Sequence, residues 1–232
     1  MARINKSALA RQEIIETALR LFLEQGYSET TVKSICKELD MMSTGHMNFY
    51  FPTKEHLLAE LTDLLCKFQY RMMEKEANDG ISSVMAICLE LTAMASMCEE
   101  DEIARDIYIS SYTSPKCLEI IRKNDAERAK TVFKETCPDW TKEQFEEAEI
   151  LVSGIEYATL MTTTGTVSLE TRLAGALNQI LSIYNIPEER RKSKIEAVFA
   201  MDYRGIGKRV LLEFKNYVIE ENDRAIRELV HR

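Results

Sequence analysis

The chain has 232 residues, 45% of them hydrophobic, with 30 Lys/Arg against 38 Asp/Glu and a formal net charge of −8. That length can bury a sizeable core and accommodate one small and one larger domain, while the apolar runs are too short and too broken by charge to span a membrane. Six scattered cysteines without a CxxC pair, and only three histidines, argue against a disulfide frame or a zinc site.

The elements, in chain order, all read as helices, because no stretch sustains period-two alternation. The N-terminus is amphipathic and charged where a secretory leader would be apolar, so the expected location is cytoplasmic. A first helix over 7–25 carries Ile14, Ile15, Ala18, Leu19 and Phe22 on one stripe, and Gly26 suits the left-handed position after it. Thr31 caps a second helix with Val32, Ile35, Cys36 and Leu39 at helical spacing. Ser43 caps a third, which buries Met47, Tyr50 and Phe51 before Pro52 stops it. A long fourth helix starts at Thr53 and turns Leu57, Leu61, Leu64, Leu65, Phe68 and Met72 inward. Because it grows directly out of the small N-terminal core, it should act as a lever on that core.

Beyond Gly80, helices are expected at about 81–98, 101–112, 115–136, 141–164, 168–185, 188–203 and 206–229. Those at 141–164 and 168–185 are apolar around most of their circumference and need cover on two sides. A two-fold four-helix bundle with a second copy would supply it, as would a large monomeric core; the reading adopted is a homodimer. The fold class is thus all-α: a helix-turn-helix domain over 1–52 and a larger helical domain over 53–232.

Charge divides along the same boundary. Residues 1–56 carry seven basic and seven acidic side chains, so all the acidic excess lies beyond them. The first twelve residues hold Arg3, Lys6 and Arg11 with no acid, and a locally basic tip on an acidic body can bind DNA while the rest of the molecule stays off it. In a helix-turn-helix the second helix enters the major groove and offers its N-terminal residues to base edges. Ser43, Thr44, Gly45, His46 and Asn48 suit that position: four are short or planar polar groups, and the glycine permits close backbone approach. Thr31, Tyr50 and Lys54 stand where phosphates would be held, two of them at helix N-termini.

Residues 11–60 resemble the N-terminal domain of TetR-family transcriptional repressors. The likeness rests on ALRLFLEQGYSETTVKSI, matching the family's first helix, glycine-aromatic turn and second helix, and on STGHMNFYFPTKEHLL, matching its recognition helix and the start of helix 4. Two features depart from it: the turn DMMS is one residue longer, and Asn48 stands where an aromatic is usual. The resemblance implies a two-fold dimer, a palindromic operator, repression, and a C-terminal pocket whose hydrophobic or amphipathic ligand lowers DNA affinity. It assigns phosphate contacts to Thr31, Tyr50 and Lys54, and groove contacts to Ser43, Thr44, Gly45, His46 and Asn48.

Candidate pocket residues are bulky side chains on the expected inner faces: Met72, Met85 and Leu89, then Tyr108, Tyr112, Tyr157 and Met161. Plain core filling is the alternative for each. No cofactor or metal is expected, and an enzyme is not, because the chain lacks HExxH, Glu-x-x-His and a phosphate-binding glycine loop. Other readings keep the fold with control by a protein partner or thiol oxidation, or make it a helical interaction protein without DNA binding.

Overall fold

The computed structural model describes residues 6–39, 44–77, 83–163 and 165–231. Among these there are eleven helices and no strand. The head consists of α1 (Lys6–Gln25), α2 (Val32–Glu38) and α3 (Thr44–Tyr50). The body comprises α4 (Lys54–Ala77), α5 (Ser83–Glu100), α6 (Glu102–Thr113), α7 (Pro115–Val132), α8 (Lys142–Met161), α9 (Leu169–Ile183), α10 (Glu188–Phe199) and α11 (Tyr203–His231).

Helix α5 is the centre of the body, packing against α4, α6, α8, α9, α10 and α11. Every described residue from Leu91 to Cys98 is buried, because alanines, methionines and cysteines interrupted only by Thr92 and Ser96 leave no polar face. Thr92 and Ser96 return their hydroxyls to carbonyls one turn back. The helix covered on every side is therefore α5, whereas α8 keeps an open apolar face at Ile150, Leu151 and Met161.

Two helices end earlier than their periodicity suggests. α7 stops at Val132 rather than near 136, because Phe133 caps it and turns to stack on Tyr184, with ring centroids 3.9 Å apart and planes 5° apart. α10 stops at Phe199, and Asp202 starts the next helix by accepting from the Gly205 N–H at 3.0 Å.

The head rests on more than α4. α1 also packs along α11 and against α6, and Gln12 donates to the buried Asn222 at 2.6 Å. A single lever is thus replaced by three supports.

Candidate nucleic-acid interface and effector cavity

The turn between α1 and α2 is the mechanical centre of the head. Gly26 has φ +91°, which a side chain rarely adopts, and an added Cβ would meet Asp106 Oδ2 at 2.8 Å. Asp106, on α6, accepts from the Ser28 backbone N–H at 2.7 Å and from its hydroxyl. Thr30, fully buried, donates its hydroxyl to the Gly26 carbonyl at 2.7 Å. Thr31 then caps α2 in a reciprocal capping box with Ser34.

Lys54, on the first turn of α4, grips this turn from the other side. Its ammonium donates to the carbonyls of Tyr27 and Thr30, each at 2.8 Å, and lies 3.9 Å from the centroid of the Tyr27 ring. Burial lowers its pKa, opposed by Asp106 and Glu29. Two of its three N–H donors thus face inward, a role that its place in a phosphate-contact motif does not reveal.

α3 is anchored by Met47 and Phe51, both buried, and Met47 Sδ lies 3.9 Å from the Cys36 thiol of α2. Gly45 and Asn48 are exposed and Tyr50 is half-buried. Ser43, the DMMS turn and the side chains of Thr44 and His46 lie outside the described residues. Phe49 was not among the expected reading residues, yet it is 79% exposed, packed edge-on against Tyr50 at 5.2 Å. An exposed phenylalanine on a reading helix suits contact with a thymine methyl. The signal for it was the apolar surplus: Met47 and Phe51 already fill the inner face.

The body holds a cavity of about 60 Å³ walled by α4 through α9. One water needs roughly 10–15 Å³, so the cavity takes several waters or a small molecule. Tyr108 and Tyr112 line it. Met72, Met85 and Leu89 are buried but do not reach it; Tyr157 is half-buried away from it, and Met161 is exposed beside a separate groove near Gly26 and Asp106.

Its polar wall went unread in the sequence. Gln69 donates to the Tyr108 hydroxyl, Tyr112 donates to Glu156 at 2.8 Å, and Tyr184 donates to Glu149. Arg128 pairs with Glu90 and lies 4.4 Å from the centroid of the Tyr70 ring. Burial pushes the carboxyl of Glu149 up to about 7 and that of Glu156, which also feels Glu149, up to about 8. Asp125 rises well above the carboxylate range, first through burial and then through Glu149 and Glu156. Cys66 also lines the cavity, and burial raises its thiol well above the ordinary value.

Comparison with known proteins bears on the head. Residues 14–61 match the family model described as bacterial regulatory proteins, tetR family. Over 48 residues the chain is 50% identical to an uncharacterised HTH-type transcriptional regulator, YuxN, of Bacillus subtilis (strain 168); the match spans 21% of this chain and 16% of that protein. Among solved structures, the chain is similar to a gamma-butyrolactone receptor (ArpA-like protein), 19% identical, with TM-score 0.39 and coverage of 89% of this chain and 98% of that one. GusR of Salmonella enterica is 20% identical, with TM-score 0.41 and coverage of 86% and 100%. Residues 14–61 are thus a domain of the tetR family of bacterial regulatory proteins.

Proposed function

We propose that the chain is a transcriptional repressor that binds a palindromic operator as a homodimer and releases it when a small molecule fills the cavity. The observation that carries this reading is that α4 and α6 each run from the cavity wall to the turn holding the reading head. α4 contributes Gln69 to the wall and Lys54 to the carbonyls of Tyr27 and Thr30. α6 contributes Tyr108 and Tyr112 to the wall and Asp106 to Ser28. A ligand that spreads these helices would shift both grips together and so change the angle of α3.

In this reading Gly45, Asn48 and Phe49 face the groove with Ser43, Thr44 and His46. Thr31, Tyr50 and the remaining donor of Lys54 meet phosphates. The two-fold contact is assigned to α8 and α9, and the support comes from α8, where Ile150, Leu151 and Met161 are exposed and Gly154 has open space beside it. Control by thiol oxidation is less well supported: Cys66 faces the cavity, but burial disfavours the thiolate that oxidation requires.

Effector control requires different affinities for the free and operator-bound protein. A compound that raises the melting temperature of the free protein should therefore bind the operator complex more weakly. Equal affinity for the two forms would remove the effector from the account.

A further inference from the structure

The cavity wall carries more carboxyls than cations. Glu90, Asp125, Glu149 and Glu156 line it against the guanidinium of Arg128, whose Nη1 pairs with Glu90 while its Nε and Nη2 have no hydrogen-bond partner. Three carboxyls are left without a matching cation in a place where burial disfavours bare charge. Glu149 is 3% exposed; its Oε1 accepts from the Tyr184 hydroxyl, and its Oε2 has no hydrogen-bond partner. A polar atom left so in a protein interior calls for a hydrogen-bond partner. A water would supply one but would not offset the three carboxyls.

We propose that this cavity binds a small protonated amine, whose N–H groups reach Glu149 and Glu156 while its apolar body lies against Leu65, Ile121 and Val152. The proposal rests on the effector reading above and names its ligand class. Among the described residues, no three His, Cys, Asp or Glu side chains are grouped to hold a metal ion, which directs the site toward an organic cation. A quaternary ammonium would bring charge but no donor for Glu149 Oε2. An anion could use the unpartnered donors of Arg128 but would oppose ionisation of the carboxyls around it. In the empty cavity burial favours the protonated carboxyls. When the amine enters, a carboxyl ionises to pair with it, and its proton leaves to the buffer, so binding strengthens as pH rises and levels off once that carboxyl is ionised in the empty cavity too.

The test is calorimetric titration of the purified full-length protein with three molecules of one shape and different charge: hexylamine, 1-hexanol and hexanoate, at pH 6 and pH 8. Hexylamine should bind about tenfold or more tightly than 1-hexanol, since a hydrogen bond to a charged group is worth at least that factor, and hexanoate should not bind. Its affinity should be higher at pH 8, with a heat that depends on the buffer because protons are released. Glu149→Gln, nearly isosteric, should weaken hexylamine by about tenfold; Glu156→Gln serves if that variant fails to fold. Equal binding of 1-hexanol, preference for hexanoate, or no binding of hexylamine at millimolar concentration would overturn the proposal. If hexylamine binds but leaves operator affinity unchanged, the amine site stands and the effector reading falls. If a neutral compound releases the operator while hexylamine does not bind, the effector reading stands and the amine site falls.

Discussion

Replacing Met47 with alanine is expected to abolish operator binding while the body stays folded. α3 is only seven residues long, under two turns, and a helix that short has no stability of its own in water. It is held by the burial of Met47 within it and of Phe51 just beyond its end. Met47 is fully buried and touches the Cys36 thiol of α2, so truncation opens a cavity at the contact that sets the α2–α3 angle. Such a truncation costs about 2–5 kcal/mol, more than a two-turn helix can absorb. Hydrogen exchange should show lost protection in α2 and α3 alone, with footprinting lost in parallel. A Met47→Ala protein that protects DNA like the parent would mean that α3 is held by something else.

Raising the pH from 5 to 8 is expected to destabilise the ligand-free protein, and Glu149→Gln should flatten much of that slope. Glu149 has an ordinary value of 4.5 and is held up to about 7 in the folded state, mainly by burial. Between those values the native state holds a proton that the unfolded chain has released. The stabilisation is complete below the unfolded value and is lost as pH rises through the folded one. A shift of that size corresponds to on the order of 3 kcal/mol. Glu156, raised for the same reason, adds in the same direction. The groups facing them come from several helices: Glu90 from α5, Tyr112 from α6, Arg122, Asp125 and Arg128 from α7, and Tyr184 after α9. Of these, the hydrogen bond from Tyr184 and then the charges of Arg128 and Arg122 oppose the shift of Glu149, yet burial outweighs them. Urea melts at four pH values between 5 and 8 check the sign. Flat stability, or stability that rises with pH, would show that these carboxyls are ionised in the empty cavity.

The head was legible from sequence because its signals are local. Gly26 needs a left-handed backbone, Thr31 needs to cap, and Met47 and Phe51 fall on one side of a short helix; each is decided within a few residues. The body was legible as helices but not as an arrangement. α7 ends where it does because Phe133 stacks on Tyr184, a partner no local rule supplies. α5 was passed over as the central helix because its small side chains make no strong stripe. The cavity was sought among methionines, a leucine and tyrosines; Tyr108 and Tyr112 line it, whereas Met72, Met85, Leu89, Tyr157 and Met161 do not. Its defining groups, Asp125, Glu149 and Glu156, sit on helices rich in surface charge and look like more of the same. One trace was present: Glu149 follows Ala148 and precedes Val152 by one turn, so it lies beside the buried stripe of α8, where a carboxylate is costly.

The most direct test of the central claim, that the chain reads DNA, is footprinting of the purified protein on DNA flanking its own gene, across several salt concentrations with unrelated DNA as competitor. A protected palindrome is expected, with affinity falling as salt rises at a log-log slope of about −0.9 per phosphate contact. Protection that ignores sequence, or none at any salt, would contradict it.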